Sequence, residues 1–172
     1  MAAIEAAAVA PAPAEEGRSK TVVLVAVDDS EYSYRALEWA VRHVANARAP
    51  AELVVVHAKH AASSVVTVGA PGVPGDVVRC VEEDLRRRAD EVIEKARRLC
   101  EANSVQVVVE VMEGKPRYVL CNAVDKHGAD LLVVGSHGYG AIKRAFLGSV
   151  SDYCAHHAHC SVMIVKQPKT KK

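Results

Sequence analysis

The feature that most constrains this chain is the alternation, from Thr21 onward, of short β-branched runs with longer segments of helical period. Val22 to Val27 reads VVLVAV, and after it Leu37, Val41 and Val44 fall at i, i+4 and i+7 with Ala36 and Ala40 beside them, which is a strand followed by an amphipathic helix. A second strand, Leu53 to His57, leads into a polar, Gly/Pro-rich loop over Ala61 to Gly75. From about Asp76, Val78, Val81, Leu85, Val92, Ala96 and Leu99 form one stripe of a long charged helix. Arg86, Arg87 and Arg88 lie off that stripe beside Glu82, Glu83 and Asp84, the pattern of a solvated face.

A third strand is expected over Val105 to Val111, with apolar residues at 105, 107, 109 and 111 and Gln106 and Glu110 between them; that alternation suits a half-exposed edge. Pro116 opens the next helix, Val119, Leu120, Ala123 and Val124 form its buried face, and Gly128 stops it. Leu131 to Val134 is a fourth strand, apolar on both faces, followed by a glycine-punctuated loop, a short helix over about Ser149 to His159, and a fifth strand, Val162 to Val165. The βαβαβαβαβ pattern predicts a three-layer α/β fold with a doubly wound, parallel five-stranded sheet. Right-handed crossovers and the continuously apolar first and fourth strands put those two in the centre, giving the order 3-2-1-4-5. Ligands of such sheets bind beyond the carboxyl ends of the strands where the winding reverses, here between strands one and four. Asp28, Asp29 and Ser30 arrive there from the first strand, and Gly135, Ser136, His137 and Gly138 from the fourth.

Composition narrows the function. The chain has 172 residues, enough for one self-sufficient core; residues 1–20 read as a flexible Ala/Pro-rich leader, 21–166 as the folded domain and 167–172 as a basic tail. Charge is balanced at 22 basic against 21 acidic residues, and aromatics are five Tyr, one Trp and one Phe, which argues against a nucleic-acid surface or a stacking platform for single strands. The longest uncharged stretch, Ala61 to Gly75, contains Pro and Gly and is not a membrane span. Five widely spaced cysteines with no C-x-x-C pair suit reduced thiols in a cytoplasmic or nuclear compartment, and the leader has no early basic residue of the kind a secretory signal carries.

The loop from Gly135 to Ser149 carries the chemistry. Its glycines allow backbone N–H groups to approach a ligand, and the helix beginning near Ser149 presents unpaired N–H groups and a partial positive charge, a combination that suits phosphate. Lys143 or Arg144 would add charge; the alternative is that the glycines are turn residues and Ser149 an N-cap. Neither G-x-x-x-x-G-K-[ST] nor a glycine-rich turn after strand one is present. Asp28 and Asp29 suit ribose hydroxyls or a metal, or alternatively cap the first helix.

With VVLVAVDDSEYSYRALEWA, VVVHA and above all Gly135-x2-Gly138-x9-Gly148-Ser149, the chain resembles the universal stress protein family over Thr21 to Lys166. The resemblance implies a Rossmann-like fold of the adenine nucleotide alpha hydrolase type and places the chain in the family's ATP-binding branch. It implies ATP, AMP or ADP with ribose and phosphates near Asp28, Gly135, Ser136, His137, Gly138, Gly148, Ser149 and Val150, and adenine against backbone around Val27 and Ala58. It also implies a homodimer paired through the fifth strand, Val162, Met163, Ile164 and Val165, and a role in stress response or regulation. Mg²⁺ on Asp28 or Asp29, and His137 near the γ phosphate, would make a slow ATPase, but phosphoryl transfer needs positioned groups that the sequence does not force, so a nucleotide holder or a dimeric interaction module stays open.

Two rivals share these residues. A phosphoacceptor receiver domain would use Asp28, Asp29, Ser136 and Lys166, but it needs an Asp at the end of strand three, where the chain reads Val111-Met112-Glu113. A metal site would use His156 and Cys160 at i and i+4 within Cys154 to Cys160, but two ligands on one short helix leave a tetrahedral set incomplete, and exposed histidines with packed thiols fit the pattern better. His57, close to the adenine side, carries no catalytic assignment.

Overall fold

The computed structural model describes residues 20–66, 72, 74–138 and 147–167. The expected leader and basic tail lie outside the described residues apart from Lys20 and Gln167, as do Gly140, Lys143 and Arg144. Strands β1 (Thr21–Val27), β2 (Ala51–Lys59), β3 (Val107–Glu113), β4 (Leu131–Gly135) and β5 (Ser161–Val165) form one parallel sheet in the order β3-β2-β1-β4-β5. The helices are α1 (Glu31–Ala45), α2 (Ala62–Val66), α3 (Gly75–Ala102), α4 (Pro116–His127) and α5 (Ser149–His157).

Both faces of the sheet are covered, which is why β1 and β4 read as unbroken apolar runs. On one face Val23, Val25, Leu53, Val55 and Val133 pack against Leu37 and Val41 of α1 and Val92 and Ala96 of α3. On the other, Leu24, Val54, Leu132 and Val134 meet Val119, Leu120 and Ala123 of α4 and Cys154 of α5. The expected stripes of α1 and α4 are the ones buried here, and Gly128 ends α4 in the left-handed conformation at φ 57°, which a glycine adopts without a Cβ penalty.

Several expectations need correction. The Ala61 to Gly75 loop contains α2, a helix too short to show a period. Strand three lies two residues later than expected, and its alternation fails at the far end: Val107 and Val109 pack on the core, whereas Val111, of the same parity, is 41% exposed. In α3 the stripe is buried only from Ala89 onward, while Val78, Val81 and Leu85 are half-exposed beyond the end of the sheet. Helix α5 stops at His157, with its closing turn made by the Ala158 N–H donating to the Cys154 carbonyl. Among the described residues no helix is long and apolar enough to cross a membrane.

Candidate functional site

The carboxyl ends of β1, β2 and β4 open into a cavity of about 890 Å³. It is lined by Val27 and Asp28 from β1 and its following turn, His57 and Ala58 from β2, Gly135, His137 and Gly138 from β4 and its loop, and Gly148, Ser149 and Val150 at the start of α5. The expected site residues therefore share one space, apart from Ser136, which is buried directly beneath it.

Ser136 fastens the loop rather than facing a ligand. Its N–H donates to the Val165 carbonyl at 3.0 Å, and its own carbonyl accepts from the Gly148 N–H at 2.8 Å and from the Ser151 hydroxyl at 3.2 Å. The start of α5 is thereby tied to the end of β4. These backbones approach closely: a Cβ on Gly148 would lie 3.2 Å from both the His137 Cα and the Ser136 oxygen, tighter than an ordinary contact. Gly135 lines the cavity and also packs closely on α1, since a Cβ there would lie 2.8 Å from the Tyr32 backbone. At Gly138 the neighbour is different, the Asp28 Oδ2 at 2.9 Å, so the loop after β4 and the carboxylate after β1 are in direct apposition.

Gly148 is the N-cap of α5 and no side chain caps this end, so Ser149 is the first helical residue and not the cap. The first N–H groups of a helix have no partner within it and carry the positive end of its dipole, and here the residues that carry them, Ser149 and Val150, line the cavity. At α1 the cap is Ser30, whose Oγ accepts from the Ser33 N–H at 3.2 Å; neither Asp28 nor Asp29 caps. Asp28 instead braces that turn, its Oδ1 accepting from the Ser30 N–H at 3.0 Å and from the Ser30 hydroxyl. The Tyr34 hydroxyl is buried without a hydrogen-bond partner among the described residues, and burial, with Asp29 and Asp28 nearby, pushes its pKa up to about 12.

The wall contributed by α3 was not legible in the sequence. Leu85, Arg88, Glu91, Val92 and Lys95 line the cavity, although nothing in their spacing distinguishes them from the rest of an amphipathic helix. Arg88, read as part of a solvated face, pairs with Asp84 at 2.8 Å and stands at the rim; Arg87, which pairs with Asp84 and Glu91, fits that reading. Lys59 pairs with Glu113 at 3.2 Å, while Lys95 sits over the Tyr34 ring at 3.9 Å.

Neither rival constellation is assembled. Glu113 and Lys166 lie outside the cavity lining, and Lys166 borders a separate depression beside Trp39 and His43. Cys154 is fully buried, and the Nδ1 atoms of His156 and His157 bond to the Asp152 and Tyr153 carbonyls. Among the described residues no group of three or more His, Cys, Asp or Glu side chains is placed to hold a metal ion.

A sequence profile of the universal stress protein family matches residues 21–166. Universal stress protein YxiE of Bacillus subtilis is 32% identical over 148 residues, covering 84% of this chain and 97% of its own. The match to universal stress protein MJ0531 of Methanocaldococcus jannaschii, 34% identical over 89 residues, spans 52% of each chain. Among solved structures, universal stress protein UspA from Lactobacillus plantarum superposes with a TM-score of 0.71 at 23% identity, covering 87% of this chain and 99% of that one. A family member from Arabidopsis thaliana described with AMP bound gives a TM-score of 0.62 at 23% identity, covering 87% and 93%.

Proposed function

The chain belongs to the universal stress protein family, and on that premise we propose that it binds an adenine nucleotide, AMP, ADP or ATP, at the junction of β1 and β4. The observation that carries this reading is the uncapped start of α5, held against the end of β4 and opening onto a cavity that Asp28 shares. The N–H groups of Ser149 and Val150 and the Ser149 hydroxyl take the phosphates, since a helix N-terminus offers both donors and a favourable field for an anion. Asp28 accepts from ribose hydroxyls, Gly138 and His137 border the sugar and phosphates, and Val27 and Ala58 border the base. The AMP described for the Arabidopsis relative supports the same ligand class.

The protein acts as a nucleotide-holding component of stress response or regulation, in the cytoplasm, with residues 21–166 as the working domain. Hydrolysis is at most slow. Mg²⁺ would arrive with a triphosphate and share Asp28, where it would offset the phosphate charge. The edge strand β5, with Met163 38% exposed, suits pairing with the same strand, Val162 to Val165, of a second copy.

Thermal melting with each nucleotide tests the reading. A ligand that binds only the folded chain stabilises it by about 2.7 kcal/mol at a hundred times its dissociation constant, several degrees for a domain of this size. No shift with AMP, ADP or ATP, together with no nucleotide released from denatured protein, sinks the proposal. Hydrolysis rates of wild type and Asp28→Ala separate a slow ATPase from a holder, identical background rates favouring the holder.

A further inference from the structure

The five cysteines are widely spaced in the sequence, but the fold brings two of them together. Cys121 on α4 and Cys154 on α5 meet in the seam between these helices, where the Cys154 thiol donates a hydrogen bond to that of Cys121. The seam is closely packed there: Tyr118, one turn before Cys121, sets its ring edge-on to that of Tyr153, the neighbour of Cys154, with the centroids 5.4 Å apart. Cys154 is fully buried in the core that α4 and α5 cover, and Cys121 is half-buried at its margin. The other three thiols are engaged elsewhere. Cys160 borders the same core but donates to the Ser161 carbonyl at 3.3 Å, Cys100 is buried in the opposite layer, and Cys80 is exposed near the start of α3.

We propose that Cys121 and Cys154 are an oxidation site, a dithiol that hydrogen peroxide converts to a disulfide locking α5 to α4. The inference stands apart from the nucleotide reading. Cys121 reacts first, because it is the more accessible of the two and its thiolate is the one that the hydrogen bond favours. Its sulfur attacks one peroxide oxygen, the O–O bond breaks, and water leaves, giving a sulfenic acid on Cys121. The Cys154 sulfur then attacks the Cys121 sulfur, the S–O bond breaks, and a second water leaves as the S–S bond forms. Two thiols are oxidised and one peroxide is reduced to two waters. Burial raises both thiols, Cys154 to about 12, so thiolate is scarce at neutral pH and the pair stays reduced until peroxide is sustained. The loop that the bond closes contains β4 and the segment after it, so the link restricts the unfolded chain while the folded one already holds the two thiols together.

The test treats the full chain with hydrogen peroxide, blocks the remaining thiols in denaturant, and maps the unreduced peptides by mass spectrometry. A peptide pair joined through Cys121 and Cys154 should accumulate, and dithiothreitol should dissolve it. The oxidised chain should melt several degrees above the reduced one, and dithiothreitol should reverse the rise. Cys121→Ser, at the half-buried position, should lose both the joined pair and the rise, while Cys80→Ser should keep both. Cys154→Ser should also lose the pair, but it empties a buried position, so Cys121→Ser decides if that variant folds poorly. Peroxide that joins Cys121 to Cys160, or carries Cys121 to a sulfinic acid with no joined pair, overturns the assignment. A joined pair that leaves the melting temperature unchanged overturns the lock.

Discussion

The two ends of the cavity are built by opposite strategies. The α5 end is made almost entirely of backbone: Gly148 against Ser136, the first N–H groups of the helix, and Gly138 against Asp28, all within one short segment and its partner turn. The end towards β2 is made of side chains delivered by distant elements, His57 from β2, Leu85 and Val92 from α3, and Pro116 and Leu120 from α4. A backbone site depends on the absence of Cβ atoms and tolerates no added volume. A side-chain site depends on the chemistry of what is present, and its residues are individually replaceable. The difference predicts that substitutions at the α5 end act through folding or abolish binding, whereas those at the other end retune affinity and specificity.

The strongest way to break this comparison is at Gly135. Gly135→Ala puts a Cβ within 2.8 Å of the Tyr32 backbone, so the β4–α1 seam must open and stability should fall by about 2 to 3 kcal/mol. An unchanged denaturation midpoint would refute the packing account of this glycine. Next in size, Gly148→Val should cost stability moderately and remove the thermal shift given by nucleotide, because the branch occupies the gap between α5 and the Ser136–His137 backbone. Retained ligand stabilisation would show that the α5 terminus is not where the phosphates sit.

Two smaller tests address side chains outside the cavity lining. Tyr34→Phe removes a buried hydroxyl that has no hydrogen-bond partner among the described residues and should be neutral or stabilising by up to about 1 kcal/mol. The Tyr34 phenol is raised from 10.0 to about 12, so as pH climbs through that interval the unfolded chain loses its proton while the folded chain keeps it, and stability should decline. Tyr34→Phe should flatten that part of the alkaline melting profile, and an unchanged slope would remove Tyr34 as its source. The smallest effect is expected at Glu110 on the edge strand, whose carboxyl is held below its ordinary range by hydrogen bonds from Lys126 and then His127 of α4. A depressed carboxylate pKa stabilises the fold above the unfolded value, and that contribution is lost as pH falls through the folded one. Glu110→Gln should lower the melting temperature slightly at neutral pH and less in acid; equal shifts at both would show that the pairing is not the cause.

How much of the site was legible follows the same division. Gly135, Gly138, Gly148 and Ser149 stand out as a spaced motif because a single loop must satisfy every backbone contact locally. Leu85, Val92 and Lys95 carry no comparable signal, since a residue at helical spacing reads the same whether it faces the sheet or a cavity. Ser136 was visible in the loop, but its role as the carbonyl that ties α5 to β4 was not, because a hydrogen-bond acceptor leaves no mark on residue identity. Val111 shows the converse: its place in the apolar alternation suggested burial, and it is 41% exposed on the edge strand.

The sequence by itself determined the element order, the parallel doubly wound sheet and the loop able to receive an anion, because hydrophobic periodicity and glycine placement are local consequences of backbone geometry. Only the tertiary structure decided which backbones each glycine packs against, that Asp28 braces a turn while opening onto the cavity, and that α3 walls the far end. It also decided that Cys121 on α4 and Cys154 on α5 meet. Those are relations across strands and layers, where distances of a few ångströms between residues far apart in the chain determine whether a group packs, pairs or is left to bind.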